Sequence, residues 1–290
     1  MDFTSGNALL ELCKSNGATI SEVMLAREIE ISGISREQAN ARMSHTYQVM
    51  KNAVTQSLSG NVQPIGGLIG KEADLLFRHA QSGRCLSSGL PVRAEAYAMG
   101  VLEVNASMGL IAAAPTAGSS GVIPGTFLAV QEEYGFSDQE MENALWNAGA
   151  VGYLITRNAT VSGAEGGCQA EVGSASAMAA SALTQLMGGS PKACLDAAAT
   201  ALANLLGLVC DPIAGLVEAP CQKRNGMGAA NALFCADLSL SGITSLIPFD
   251  EMVEAMMRVG RGIPAELRET AMSGCAATPT GCRLCQGILG

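Results

Sequence analysis

An all-α fold, a compact multi-helix domain with Gly/Pro-rich loops, is what this sequence predicts, and three observations predict it. Residues that favour strands are scarce: one Trp, four Tyr and six Phe stand among 290 residues, beside abundant Ala, Gly and Met. That composition suits close helix–helix packing. Helix-start signals recur, as capping-box patterns at Ser35-Arg36-Glu37-Gln38 and Ser137-Asp138-Gln139-Glu140 and as a cap before a first-turn proline at Ser190-Pro191. Long stretches also repeat their apolar residues at helical spacing.

The capping signals predict helices over 36–58, 138–154 and 191–207. Apolar spacing adds helical segments at 8–12, 23–29, 93–111, 175–187, 225–241 and 250–259. Between them lie Gly-rich punctuations at 64–70, 115–125, 162–173 and 208–228, too short for domain linkers and read as functional loops. The chain therefore reads as one domain over 1–290. Its more polar and charged residues 1–60 are expected as a peripheral helical layer or a face for a partner.

A hydrophobic content of 48% supplies a single large core. The net charge of -9, without a basic run, argues against a nucleic-acid or anionic-membrane partner. The apolar stretch 195–209 contains Asp196 and Asn204 and falls short of the roughly 20 residues a bilayer span needs. Met1-Asp2-Phe3-Thr4-Ser5 lacks the basic and apolar regions of a secretory signal. A soluble, cytoplasmic protein is expected. Ten cysteines spread over such a chain suggest metal binding or catalysis more than disulfides.

Cys168 stands in Gly166-Gly167-Cys168-Gln169-Ala170-Glu171-Val172-Gly173, directly before a helical pattern opens. Backbone N–H groups at a helix start favour an anionic sulfur, and flanking glycines let a bulky group approach the backbone. Cys210 in Cys210-Asp211-Pro212 and Cys221 in Ala219-Pro220-Cys221 repeat this setting, so three cysteines are expected in three irregular loops. Intervals of 42 and 11 residues match no ferredoxin or zinc-finger spacing. From the residues alone, ligation and ordinary burial remain alternatives for this trio, whereas Cys13, Cys85, Cys194 and Cys235 read as ordinary small core or loop residues. The pair Cys282-Arg283-Leu284-Cys285 is a single CxxC, weak evidence for zinc.

Three ordered motifs make a family resemblance specific: Thr116-Ala117-Gly118-Ser119-Ser120-Gly121-Val122-Ile123-Pro124-Gly125, the Gly-Gly-Cys-Gln-Ala-Glu-Val-Gly run around Cys168, and the Cys-Asp-Pro to Ala-Pro-Cys run from Cys210 to Cys221. They resemble those of the bacterial iron–sulfur L-serine dehydratases. The resemblance covers essentially the whole chain and is nearest to the alpha chain of the two-subunit form, down to Leu267-Arg268-Glu269-Thr270 and Ala276-Ala277-Thr278-Pro279-Thr280-Gly281.

The resemblance implies a [4Fe–4S] cluster on Cys168, Cys210 and Cys221. Its fourth iron, left open, would act as a Lewis acid toward the β-hydroxyl of L-serine. Loss of the α-proton and of hydroxide would give aminoacrylate, then pyruvate and ammonia. Substrate carboxylate and ammonium need fixed partners, and Thr116, Ser119, Ser120 and Gly121 are the candidates, with a plain turn and N-cap as the alternative. Asn158, Lys223, Arg224 and Asn225 are weaker ones. The general base is expected on a separate beta chain: His45 sits inside a long helical pattern and is read as a decoy, and His79 as a surface or packing residue. Cys285 is a candidate fourth ligand of the resting cluster. The rivals are a cysteine desulfidase on a related scaffold and a non-catalytic metal-binding subunit. A pyridoxal-phosphate enzyme is disfavoured, because none of the five lysines has a Schiff-base setting.

Overall fold

The computed structural model describes residues 2–87 and 89–289. Its helices are Gly6–Asn16 (α1), Ile20–Ser32 (α2), Arg36–Leu58 (α3), Glu72–Gln81 (α4), Leu90–Ala106 (α5), Val122–Tyr134 (α6), Asp138–Asn158 (α7), the short Gly163–Gly166 (α8), Ser174–Leu186 (α9), Pro191–Asn204 (α10), Cys221–Leu240 (α11), Phe249–Gly262 (α12) and Pro279–Leu289 (α13). Among the described residues there is no strand, and the fold is all-α as expected; one isolated parallel bridge joins Cys210 to Arg268. No described helix is long and apolar enough to cross a membrane.

The capping signals locate helix starts well. Ser35 accepts the Gln38 N–H while Gln38 accepts the Ser35 N–H, and Ser137 and Glu140 make the same exchange. Helix α3 has the expected bounds, α7 runs four residues past 154, and α10 ends at Asn204, short of 207. Helices α4, α6, α8 and α13 were not among the expected segments. Helix α6 opens inside the stretch read as loop, because Pro124 occupies a first-turn position where its missing N–H costs nothing.

Helix α9 forms the centre, packed against α6, α7, α10 and α11. Every residue from Ser174 to Thr184 is buried, which requires a helix made of Ala, Ser, Leu, Met and Thr and free of charge. Three of its polar side chains find partners inside, Ser176 donating to Gly228 O at 2.9 Å, Ser181 to Asn147 Oδ1 at 2.6 Å and Thr184 to Ala180 O at 2.8 Å, whereas Ser174 Oγ is buried without one. Helices α1 to α3 bury Leu9, Ile20, Val23, Tyr47 and Met50 in the same hydrophobic cluster, with α2 and α3 on α7 and α3 also on α5.

Helices α5 and α6 cross closely because glycine permits it. A Cβ on Gly121 would stand 2.0 Å from Ala98 O, and one on Gly125 2.6 Å from Ala98 N and 2.7 Å from Ala94 O. Gly149 in α7, by contrast, faces nothing within 4 Å. Gly125→Ala is expected to lower stability by about 1–3 kcal/mol through overpacking, and Gly149→Ala to raise it by roughly 0.5–1 kcal/mol through helix propensity. Denaturant midpoints of the two variants check both signs.

Candidate active site

The four Gly-rich punctuations meet at one end of the helical body, and buried polar side chains join them. Asn225, on the second turn of α11, is wholly buried: its Oδ1 accepts the Gly121 N–H at 3.0 Å and its Nδ2 donates to Gly118 O at 2.8 Å and Cys221 O at 3.0 Å. Thr116 donates its hydroxyl to Glu171 Oε1 at 2.7 Å, tying the 116–121 loop to the segment after Cys168. Glu218 accepts the N–H groups of Gly66 at 2.6 Å and Leu68 at 2.8 Å, docking the first loop onto the approach to Cys221.

Cys168, Cys210 and Cys221 are all buried and arrive from different elements. Cys168 follows the Gly167 turn and precedes a π-helical turn over Gln169–Gly173, the kind of local bulge often found at functional sites. Cys210 is clamped by the C-terminal segment: its N–H donates to Leu267 O at 2.8 Å and its carbonyl accepts the Glu269 N–H at 2.7 Å. Cys221 departs from the loop setting expected of it. It is the first residue of α11, a 20-residue helix, because Pro220 is tolerated just before the first turn and Gln222 onward continues helically.

The three thiols bear on one another electrostatically. Burial pushes the Cys168 thiol up to about 12, with the Arg224 guanidinium opposing it. Burial raises Cys210 and Cys221 as well, and each is raised further by the Cys168 and Glu171 charges. Buried thiols that disfavour one another's charge cannot all ionise unless a cationic group compensates them. Among the described residues no three His, Cys, Asp or Glu converge on a single-ion position.

Two acidic residues that the motifs contain, but that sequence reasoning passed over, stand beside them. Glu171 lies one turn after Cys168, its Oε2 4.0 Å from Cys210 Sγ; burial raises its pKa, and the Thr116 hydroxyl opposes that. Asp211 is 3% exposed and faces Arg224, whose Nη2 lies 2.7 Å from Asp211 Oδ1 at an angle too oblique for a hydrogen bond. Burial works against Asp211 ionising, but the Cys275 N–H at 2.6 Å and the Arg224 charge outweigh it and hold the carboxyl below its ordinary range. Arg224 also donates to Val209 O at 2.7 Å. Proximity to Cys168 within the quoted Gly-Gly-Cys-Gln-Ala-Glu run was the available signal for Glu171.

The remaining candidates fall in several places. Ser119 and Ser120 are fully buried, with both N–H groups and both hydroxyls bonded inside the 116–120 turn, and the Gly121 N–H serves Asn225. Asn158 bonds Thr4 O and Leu154 O at the end of α7, and Lys223 is exposed on α11. Helix α13, which carries Cys285, packs against the Ile213–Gly215 turn between Cys210 and Cys221. His45 and His79 are both exposed, on α3 and α4.

A family model described as serine dehydratase alpha chain matches residues 15–276. The chain belongs to the serine dehydratase alpha-chain family. Among its relatives, the probable L-serine dehydratase alpha chain of Bacillus subtilis is 48% identical over 288 residues, covering 99% of this chain and 96% of that one. The L-serine dehydratase alpha chain of Peptoniphilus asaccharolyticus is 42% identical over 281 residues, 97% and 96% of the two chains. The L-serine dehydratase of Streptomyces coelicolor is 36% identical over 292 residues, 97% of this chain but 62% of that longer one.

Arg224→Met should destabilise the protein by about 3–5 kcal/mol, because it leaves the Asp211 charge buried without its cation. In the Arg224→Met/Asp211→Asn double variant the loss should be smaller than the sum of the two single losses. Asp211 has a lowered pKa in the folded state, so the pair's contribution is complete above about pH 3.9 and fades as pH falls through the lowered value. Urea titrations of the four proteins at neutral and acid pH test the coupling and its loss in acid.

Proposed function

We propose that this chain is the cluster-bearing catalytic subunit of an L-serine dehydratase, a lyase that deaminates L-serine to pyruvate and ammonia. Cys168, Cys210 and Cys221 hold its [4Fe–4S] cluster. The observation that carries this reading is that three buried cysteines, drawn from three separated segments, sit on elements that Thr116, Glu171 and Asn225 tie together, in a chain of the serine dehydratase alpha-chain family. The donor chemistry fits such a group, because thiolate sulfur suits iron–sulfur clusters. When bound, the cluster supplies a Lewis-acidic iron to polarise the substrate hydroxyl.

The protein's own share is placement and electrostatics. Arg224, held by Asp211 and Val209 O, sets a fixed positive charge beside Cys168 and favours its thiolate. Asn225 keeps the 116–121 turn at a constant distance from Cys221, so substrate and ligands meet in one geometry. Thr116 holds Glu171 by its hydroxyl at the inner edge of that turn.

The α-proton is removed by a base on a beta chain, which completes the site as a hetero-oligomer. Two observations support this: both histidines of the chain are exposed, and the Bacillus and Peptoniphilus relatives, each covered over 96% of its length, are named alpha chains.

Anaerobic reconstitution of the chain with iron and sulfide, together with its beta chain, should yield an oxygen-sensitive [4Fe–4S] electronic and magnetic spectrum that shifts on adding L-serine. Cys168→Ala, Cys210→Ala and Cys221→Ala should each abolish it. Retention of the cluster in all three variants would overturn the ligand assignment. A cluster that ignores serine would mark a structural site, and turnover of L-cysteine in preference to L-serine would move the chemistry to sulfide elimination.

A further inference from the structure

Glu171 has a position that ligand-holding alone leaves unexplained. Its carboxylate offers about four acceptor directions, yet its contacts are the Thr116 hydroxyl at 2.7 Å and, more distantly, Cys210 Sγ at 4.0 Å. Among the described residues no Lys, Arg or His pairs with it. Arg224, the guanidinium beside the thiols, is already bound to Asp211 and Val209 O. Two glycine turns wall the carboxylate in so closely that a Cβ would stand 3.0 Å from Oε1 at Gly118 and 2.7 Å from Oε2 at Gly163. Its remaining direction is toward the thiols, all three of which feel its charge. Glu269 lies near enough to add a second negative charge.

A half-buried carboxylate with spare acceptor capacity and no cation either takes up a proton or is stabilised by a positive group that joins it. The substrate class of the preceding section carries one mobile positive group, the α-ammonium of an amino acid. We infer that Glu171 is the residue of this chain that receives the substrate's α-ammonium, with Thr116 as a positioning residue that orients its carboxylate. This assignment rests on the serine-dehydratase reading. It places the charged end of the substrate against the Cys168 to Gly173 segment, leaving the hydroxyl to face the group held by the three cysteines. It also gives the 116–121 turn a role through Thr116 that its already-bonded serine N–H groups do not provide.

The test is ligand discrimination in the reconstituted complex with its beta chain, read as the ligand-induced change in the cluster spectrum, so that binding is seen without turnover. L-Serine is compared with 3-hydroxypropionate, which keeps the hydroxyl and carboxylate and lacks the ammonium. Wild-type protein should prefer serine. Glu171→Gln should retain the cluster spectrum and weaken serine binding about 10- to 100-fold, the effect of losing a hydrogen bond to a charged group, while 3-hydroxypropionate binding stays unchanged or improves. Glu171→Asp should recover part of the preference, and Thr116→Val should reduce it by a smaller factor than Glu171→Gln. Preserved preference for serine in Glu171→Gln overturns the assignment. So does loss of the cluster in that variant, which would make Glu171 a support of the thiols. A wild-type spectrum that ignores serine would instead sink the dehydratase reading itself, so the two failures are distinguishable.

Discussion

The site depends on the buried amide of Asn225. A side chain with no solvent contact must place its donors and acceptor inside the protein, and Asn225 does so by spanning two segments: Gly121 and Gly118 on one side and Cys221 on the other. That single requirement fixes the distance between the 116–121 turn and the first residue of α11. Gly121 completes the constraint from the opposite side, since its backbone must pass against Ala98 O in a space that admits no side chain. The loop is thus held by a hydrogen bond at one face and by van der Waals contact at the other.

Charge sets the second constraint. Three thiols, Glu171 and Asp211 share one end of the molecule, and burial there disfavours every anion. Arg224 compensates Asp211 and part of the Cys168 charge, and its own rigidity comes from Val209 O and the neighbouring Asp211. The Cys275 N–H reaches the other Asp211 oxygen, so the C-terminal segment is joined to the same charge network that bears on Cys168. The Cys210 bridge to residues 267–269 ties that segment down a second time. The chain's end and its middle are therefore mechanically one unit at the thiols.

Beneath the thiols a further layer repeats the principle. Gln222, next to Cys221, donates to the buried Glu103 at 2.7 Å, and Glu103 also accepts the Ala73 N–H at 3.1 Å. Burial raises the Glu103 pKa, with these hydrogen bonds opposing it. Helices α4, α5 and α11 are locked together at the level of the Cys221 backbone by this carboxyl, which suits a site whose ligand must keep its place.

Local chemistry made much of this legible. Ser35, Ser137 and Ser190 announce helix starts because a capping hydrogen bond is closed within four residues, and the scarcity of aromatic residues together with Ala-rich stretches implies tightly packed helices. The Cys168, Cys210 and Cys221 motifs were visible because their glycines and prolines interrupt helical pattern. By itself, the sequence determined the helical class and the starts of the capped helices. Tertiary structure alone decided that Thr116 meets Glu171 across 55 residues, that Arg224 faces Asp211, that residues 267–269 clamp Cys210, and that the hydroxyls of Ser119 and Ser120 turn inward. The physical reason is range: a cap or a proline acts within one helical turn and leaves its mark in neighbouring residues. The pairing of buried polar groups is settled only when distant segments are packed together and each donor must find an acceptor.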